Sequence, residues 1–421
     1  MSTTADSAEP AAKPRAPRRT AVVAAPVVAT VLVILAALTG IQLARPAPPG
    51  ALHLSAPSAL TLPGRPADIP WPARGQARLD VSGVGSLGGS GDDRPIPIGS
   101  VAKVMTAYVV LTGHPLDAGQ AGPAITVTEP DVADYEARVP GGQSLVAVEA
   151  GEQLTERQAL QALLLPSANN VAQILANWDA GGAEAFVAKM NATARSLGLA
   201  DTRYTDPSGL APSTVSTAAD QTLLAERALT IPAFAEIVAQ PSATLPVAGT
   251  VTNYNSLLGV DGVIGVKTGS TDEAGGNLVF AARLTVAGQT LTVVGAVLGQ
   301  PGNDTPEQLA NTNDVTRRLL AAARRLVQVY TVLPAGTVGE VRTRWGRTTP
   351  VRTGDPARIV GWPGLTVGVQ THPGGLTRQV RAGQWVGTLT VHNGIGATTV
   401  DLRAGAALPG PSTWWRLTRI R

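Results

Sequence analysis

The chain has 421 residues, of which 44% are hydrophobic, so it is long enough for two folded domains with a sizeable core. It contains no cysteine, which excludes disulfides, thiolate metal sites and cysteine nucleophiles, and its four histidines lack metal-ligand spacing. The formal net charge of +3, with no lysine-rich run, argues against a nucleic-acid partner. We expect no metal and no cofactor.

The N-terminal region reads as a membrane anchor. Residues 1–19 are polar and basic, and residues 20–44 carry no charge and are long enough to cross a bilayer core of about 30 Å. The basic flank predicts a cytoplasmic tail (1–19), a single transmembrane helix (20–44) and an extracellular remainder at the cell membrane. A cleaved signal peptide followed by secretion is the alternative. Residues 45–70, rich in proline and alanine, are predicted to be a linker.

Residues 71–332 mix helix and strand patterns. The sequence predicts a hairpin made of 277–286 and 290–298 with a three-residue loop. It predicts helices at 100–111, within 154–178 (with a break or a start at Pro166), at 183–197, and from Thr305 to about Tyr330, where Gln308 would complete a capping box. This order indicates an α/β (α+β) domain with a mainly antiparallel sheet.

Residues 333–421 change character. Short strand-like runs at 338–341, 357–360, 365–369, 385–391 and 398–402 lie between glycine and proline turns, which predicts a small all-β domain. The segment 414–421 is read as a last strand, and core packing is the favoured explanation for the tryptophans that cluster in this domain. Whether the domain is a spacer, a partner platform or a stabilising appendage stays open.

Lysine is scarce, because only four of the 33 basic residues are lysines. A lysine amine can lose its proton when desolvated, whereas an arginine cannot, so each lysine is a candidate for chemistry. Ser100 and Lys103 stand three residues apart at a predicted helix start, on one face of the same turn. A desolvated lysine there can activate the serine hydroxyl without a histidine, and the helix N-terminus suits an oxyanion.

Two further elements lie downstream. Ser167 and Asn169 form the only Ser-x-Asn in the chain, directly after an apolar run. Lys267, Thr268 and Gly269 follow at a predicted strand edge, where glycine lets a substrate backbone approach closely.

In this order the three elements resemble the serine penicillin-recognising enzymes, whose Ser-x-x-Lys, Ser-x-Asn and Lys-Thr-Gly motifs meet in one cleft. The surrounding residues 98–106, 206–210 and 268–275 are similar to those of low-molecular-mass D-alanyl-D-alanine carboxypeptidases. The composition and the motif sequences resemble those of actinobacterial members. The resemblance covers about 75–330 and implies a β-lactamase/DD-peptidase-like catalytic domain. It also implies a penicillin-binding hydrolase of peptidoglycan biosynthesis, with β-lactams as covalent inhibitors.

The resemblance also implies roles. Ser100 would attack the penultimate D-alanine of a peptidoglycan stem peptide ending in D-Ala-D-Ala, with Lys103 as general base, although the identity of the base stays open. Ser167 and Asn169 would relay the proton and hold the substrate amide. The substrate-binding strand would consist of Lys267 and Thr268 for the terminal carboxylate, Gly269, and Ser270, whose N–H joins that of Ser100 in the oxyanion hole.

Three alternatives stay open at this point. A DD-endopeptidase acting on cross-links would use the same residues. A class A β-lactamase needs a glutamate-positioned water, and the run at Glu226 lacks the asparagine of that loop. A non-catalytic wall-binding sensor would keep the fold but would not need Ser100, Lys103 and Lys267.

Overall fold

The computed structural model describes residues 20–65 and 68–420, so the predicted cytoplasmic tail lies outside the described residues. Helix α1 (Thr20–Ala44) begins the described part. Its stretch Ala25–Ala44 has a mean hydropathy of 2.4, contains no buried residue, and is long and apolar enough to cross a membrane.

The predicted linker at 45–70 is wrong in part, because it contributes two strands. Strand β1 (Ala51–Leu54) pairs with 336–342, and β2 (Ala59–Thr61) pairs with 366–373. The alternating Leu52 and Leu54 pack against the hydrophobic core of the C-terminal domain. Partial burial of these leucines and pairing with the C-terminal sheet favour a strand here in spite of the proline-rich composition around it.

The remaining elements of the described residues follow in chain order. The helices are α2 (Lys103–Gly113), α3 (Glu129–Arg138), α4 (Glu156–Leu164), α5 (Asn169–Ala180), α6 (Ala183–Leu197), α7 (Ala218–Ala228), α8 (Pro232–Val238), α9 (Thr305–Leu326) and α10 (Thr413–Thr418). The strands of the catalytic region are β3 (Gln76–Val81), β4 (Gly85–Ser90), β5 (Ile96–Pro97), β6 (Ala124–Thr126), β7 (Gln153–Thr155), β8 (Val215–Ser216), β9 (Ser242–Leu245), β10 (Gly249–Thr252), β11 (Val263–Thr271), β12 (Gly275–Val286) and β13 (Gln289–Gln300). The C-terminal strands are β14 (Gln328–Leu333), β15 (Gly336–Arg342), β16 (Thr348–Thr353), β17 (Ala357–Gly361), β18 (Thr366–Pro373), β19 (Trp385–His392) and β20 (Ala397–Ala404).

The catalytic domain is an α/β sandwich with an antiparallel main sheet, as the sequence predicts. The strand order of this sheet is β11-β12-β13-β3-β4. Alternate residues of β12 face opposite layers. Val279 and Ala281 pack with α2, α5 and α7, whereas Leu278 and Phe280 pack with α9. The site lies where α2 starts against the edge strand β11.

The predicted hairpin of β12 and β13 is confirmed, but its loop has two residues, Ala287 and Gly288, instead of three. Both have positive φ, +49° and +81°, which is the backbone of a tight hairpin turn. The helix that starts at Thr305 is also confirmed, with Asp304 as its N-cap instead of the predicted capping box. It ends at Leu326 and not near Tyr330, because Gln328–Leu333 pairs as strand β14 with β17. The Asp304 carboxylate accepts from the Glu307 amide at 2.8 Å, and Gln308 turns towards the site instead.

The C-terminal domain is a seven-stranded antiparallel sheet, β1-β15-β16-β20-β19-β18-β2, with a separate β14–β17 pair. The predicted last strand is wrong: Thr413–Thr418 forms a helical turn and a half because Ser412 caps it, accepting from the Trp415 amide at 3.2 Å. Core packing explains Trp362, which is buried against the catalytic domain, but not Trp414, which is 74% exposed.

Candidate active site

The first site element lies where a short 3₁₀ turn, Gly99–Ala102, leads into α2. Gly99 has φ +53°, a left-handed backbone that glycine adopts without strain, and it turns the chain from β5 into the helix. Lys103 Nζ lies 2.8 Å from Ser100 Oγ, which confirms that both side chains share one face of the turn.

The Lys103 amine is buried and has two further oxygen neighbours. Its Nζ donates to Asn169 Oδ1 at 2.7 Å and to the carbonyl oxygen of Ser208 at 3.0 Å. A neutral amine has two N–H groups and one lone pair. If the N–H groups serve Asn169 and Ser208, the lone pair points at the Ser100 hydroxyl, which is the geometry of a general base.

The electrostatics of the site favour that neutral amine. Burial lowers the pKa of Lys103 well below its usual value, and the positive charge of Lys267 lowers it further, while Asp206 opposes them. A lysine with a depressed pKa is unprotonated for a larger fraction of the time at neutral pH. An amine in this position can serve as a base for Ser100 without a histidine.

The loop between α6 and β8 fixes the Ser208 carbonyl. The Asp206 carboxylate accepts from the backbone amides of Ser208 and Leu210, at 3.1 and 3.0 Å, and from the Thr214 hydroxyl at 2.6 Å. Thr106 of α2 donates to the Pro207 carbonyl at 2.6 Å and ties the loop to the catalytic helix. From the sequence, Asp206-Pro207-Ser208 was used only for its resemblance to the family, and its role in fixing the Ser208 carbonyl was not predicted. An aspartate that accepts from the backbone two residues on is nevertheless a recognisable turn signal.

Ser167 lies in the turn before α5, next to Pro166. Its φ is +65°, a left-handed backbone that is strained for serine, and its buried Oγ has no hydrogen-bond partner among the described residues. Backbone strain and an unpaired buried hydroxyl tend to cluster at functional sites. The hydroxyl predicted to relay protons is thus placed free of any competing hydrogen bond.

The third element lies on β11, at the edge of the main sheet. Lys267 is buried, its Nζ donates to the carbonyl of Thr268 at 3.1 Å, and burial lowers its pKa to about 7. Thr268 is also buried, in register with Leu278 of β12. When its amine is protonated, Lys267 and the neighbouring Thr268 hydroxyl can together bind a carboxylate.

Strand β11 packs directly on the start of the catalytic helix. A Cβ added to Gly269 would lie 2.8 Å from the backbone nitrogen of Ser100 and 3.1 Å from the carbonyl of Ile98. A Cβ added to Gly99 would lie 3.3 Å from the Ser270 nitrogen. The Ser100 and Ser270 amides thus flank the same junction, as an oxyanion hole requires.

Two glutamines that the sequence analysis did not assign to the site complete it. Gln143, from the loop before β7, accepts from Asn169 Nδ2 at 3.0 Å, which fixes the amide with its oxygen towards Lys103. Gln308, in the first turns of α9, accepts from the Ser270 hydroxyl. Neither lies in one of the three site motifs, so no local sequence signal connects them with the site. Among the described residues, no group of three metal-ligating side chains comes together.

The comparisons with known proteins agree with this geometry. The family model described as D-alanyl-D-alanine carboxypeptidase (peptidase S11) matches residues 87–301. D-alanyl-D-alanine carboxypeptidase DacB2 of Mycobacterium tuberculosis is 37% identical over 50% of this chain and 70% of its own length. The D-alanyl-D-alanine endopeptidase of Pseudomonas aeruginosa is 36% identical over 48% of this chain and 65% of its own.

Solved structures show the same fold. The crystal structure of a Streptomyces DD-transpeptidase superposes with a TM-score of 0.50 at 29% identity, covering 62% of this chain and all of that one. Penicillin binding protein 5 of Haemophilus influenzae superposes with a TM-score of 0.56 over 82% of this chain and 98% of its own, and at 21% identity it shows the shared two-domain fold. The chain therefore belongs to the D-alanyl-D-alanine carboxypeptidase family of serine DD-peptidases.

Proposed function

We propose that this chain is a serine-type D-Ala-D-Ala carboxypeptidase that removes the terminal D-alanine from peptidoglycan stem peptides. The observation that carries the proposal is the buried Lys103 amine, held by Asn169 and Ser208 with Ser100 at 2.8 Å. The two relatives described above are named carboxypeptidase and endopeptidase, so the exact bond cleaved is part of the proposal.

Acylation begins when the Ser100 Oγ–H proton passes to the neutral Lys103 amine and Oγ bonds to the carbonyl carbon of the penultimate D-alanine. The Ser100 and Ser270 amides stabilise the resulting oxyanion, each such donor being worth about 10²–10³ in rate. The C–N bond to the terminal D-alanine then breaks. The leaving amine takes up the proton that Lys103 accepted from Ser100, with the Ser167 hydroxyl as the relay, so Lys103 is neutral again.

Deacylation reverses the proton movements. Water attacks the ester carbonyl while Lys103 accepts its proton, the bond between the acyl carbon and Ser100 Oγ breaks, and Oγ takes the proton back from Lys103. Asn169 holds the substrate amide, and Lys267 and Thr268 hold the carboxylate of the leaving residue. A β-lactam would enter the same acylation step and remain as a stable acyl-enzyme.

The endopeptidase alternative uses the same residues on a cross-linked peptide, and the two activities differ only in the leaving group beyond the scissile bond. The β-lactamase alternative is less well supported. Glu226 lies in α7, where burial raises its pKa and its neighbours are Asp80, Ser82 and arginines. None of these residues belongs to the site.

We further propose that α1 is retained as a single membrane anchor and that the catalytic domain lies on the extracellular side. An uncharged helix of this length after a basic segment supports a span with the N-terminus inside. Cleavage after the apolar segment, as in a secreted protein, is the alternative.

Fluorescent penicillin labelling of the full chain and of Ser100→Ala tests the nucleophile. We expect labelling to disappear with Ser100, and labelling that survives would reject the assignment. Parallel assays of D-alanine release from a pentapeptide and of cleavage of a cross-linked muropeptide dimer separate carboxypeptidase from endopeptidase. Cleavage of the dimer alone would overturn the carboxypeptidase proposal.

A further inference from the structure

The base of the C-terminal domain, meaning helix α10 with Arg419 and the loop that carries Arg378, contacts the chain where the apolar helix α1 ends. Arg419 donates to the carbonyls of Arg45 and Pro46, at 2.7 and 3.2 Å, and Gln42 Nε2 donates back to the Arg419 carbonyl at 2.9 Å. Arg378 donates to the Ala47 carbonyl at 3.2 Å. These hydrogen bonds join the base of the C-terminal domain to the last turn of α1 and to the residues that directly follow it.

Two open cavities flank this point, and their charged linings have one sign. Both are lined by Ala47, and neither lining contains an aspartate or a glutamate. The arginines that line them, here called the arginine collar, are Arg45, Arg344, Arg378, Arg381, Arg416 and Arg419. So many cations without a carboxylate counter-charge indicate a surface for anions.

Exposed apolar side chains lie beside the collar on and after α10. Trp414 is 74% exposed, Ile420 is 96% exposed, and Leu417 is also on the surface. Trp415 packs edge-on against Trp345 of the C-terminal domain, with ring centroids 5.6 Å apart. Tryptophan is enriched where a protein surface meets the membrane–water interface.

The whole chain is charged asymmetrically in the same sense. Residues 333–421 contain 11 arginines and three carboxylates, a formal charge of +8. Residues 71–332 contain 16 basic and 24 acidic residues, a formal charge of −8. An anionic surface would attract the domain that carries the collar and repel the catalytic domain.

We propose that the arginine collar binds the phosphate headgroups of anionic phospholipids where α1 leaves the bilayer, with Trp414, Leu417 and Ile420 in the interface. Guanidinium groups bind phosphate in a bidentate manner, and each basic residue near an anionic bilayer strengthens docking about fivefold. The inference rests on the proposed anchor. Because Val360 and Trp362 pack into the core that β11 to β13 share with α9, docking would also fix the orientation of the catalytic domain.

The test uses the full chain reconstituted in lipid nanodiscs of phosphatidylcholine alone or with phosphatidylglycerol. Hydrogen–deuterium exchange of peptides that cover 344–347 and 413–418 reports docking. We expect slower exchange in the phosphatidylglycerol discs, and quenching by brominated lipid that is lost in Trp414→Phe. The double variant Arg344→Ala/Arg381→Ala should lose about 25-fold of the docking constant, about fivefold for each arginine.

The matched control is Arg283→Ala/Arg358→Ala, which removes the same charge from exposed positions outside both cavity linings. It should behave like the unmodified chain. Equal exchange in both kinds of disc, or equal loss in the two double variants, would reject the collar as a lipid site. Protection in neutral discs on adding inorganic phosphate, equal to that in anionic discs, would assign the collar to free anions and also reject the proposal.

The same samples separate this inference from the proposed function. Penicillin labelling in the discs reports acylation by Ser100 independently of lipid composition. Failure of the chain to stay in the disc fraction would reject the anchor and the collar together, whereas labelling without lipid-dependent protection would reject the collar alone.

Discussion

Asn169 Nδ2 donates to Gln143 Oε1 at 3.0 Å, so a side chain from a loop outside every motif sets the orientation of a motif amide. With Nδ2 held there, Oδ1 faces Lys103 at 2.7 Å. An asparagine amide can flip by half a turn at little cost unless its neighbours distinguish oxygen from nitrogen. We therefore infer that Gln143 is a positioning residue for the proposed base, Lys103.

Replacing Gln143 with alanine should slow acylation about tenfold with a smaller effect on KM, because the base loses its oriented acceptor while the carboxylate receptor is unchanged. Gln143→Glu keeps the acceptor but adds a negative charge, which raises the pKa of Lys103 and moves the acid limb of the kcat profile to higher pH. Ser144→Ala is the control, since Ser144 contacts Asn169 only through its backbone carbonyl. A Gln143→Ala enzyme with an unchanged acylation rate would contradict this role.

The pH dependence should depend on the C-terminus of the substrate. Lys267, with its pKa of about 7, is protonated and able to bind a carboxylate below that pH, and loses this charge above it. For a peptide with a free carboxylate, KM should therefore rise above pH 7, whereas the C-terminally amidated peptide should show no such rise. Steady-state kinetics on both peptides check this. An identical alkaline rise for both would exclude Lys267 as the receptor.

Ser167 should show a conflict between stability and activity. Its φ of +65° costs a non-glycine residue about 1–2 kcal/mol, so Ser167→Gly should raise the unfolding temperature relative to Ser167→Ala, which keeps the strain. Both variants lose the hydroxyl and should lose most of the D-alanine release. Thermal unfolding of the pair isolates the backbone effect, and equal midpoints would refute it.

Two glycines with the same backbone should respond differently to alanine. Gly209 and Gly288 have φ values of +78° and +81°, but a Cβ at Gly209 would overlap the Gly99 carbonyl, whereas nothing lies within 4 Å at Gly288. Gly288→Ala should cost about 1 kcal/mol, from φ strain alone. Gly209→Ala should cost more than that and should also displace the turn that carries Ser100, which penicillin labelling would detect. Equal losses of stability would contradict the steric argument.

Glu156 should make stability depend on pH. Its buried carboxylate oxygens have no hydrogen-bond partner among the described residues, and burial raises its pKa to about 7. The pKa of Glu156 in the folded chain lies above its value of 4.5 in the unfolded chain. Its ionisation therefore does not lower the free energy of unfolding below pH 4.5. Above that pH the loss of stability grows, and it levels off once the pH exceeds 7.

Glu156→Gln should therefore match the unmodified chain near pH 4.5 and be more stable by about 1–3 kcal/mol at pH 8. The exposed Glu149→Gln should show no such divergence. Thermal unfolding of both variants across this range checks the prediction, and a Glu156→Gln advantage that is constant with pH would contradict it.

The sequence by itself determined which reactive groups meet when they are close together along the chain. Ser100 and Lys103 are three residues apart, so a single helical turn brings them together whatever surrounds it, and the β12–β13 hairpin likewise follows from local periodicity and its turn. The scarcity of lysine identified Lys103 and Lys267 before any contact was known. These features needed no tertiary information because the groups involved are neighbours along the chain.

Only the tertiary structure decided what the lysine touches. Asn169 and the Ser208 carbonyl reach Lys103 from 66 and 105 residues away, and Gln143 shares no motif with them. The same holds for β1 and β2, which look like a linker until the C-terminal sheet supplies partners for their edges. Hydrogen-bond partners and burial are properties of the packed chain, and burial is what lowers the pKa of Lys103, on which its proposed role as the base for Ser100 depends.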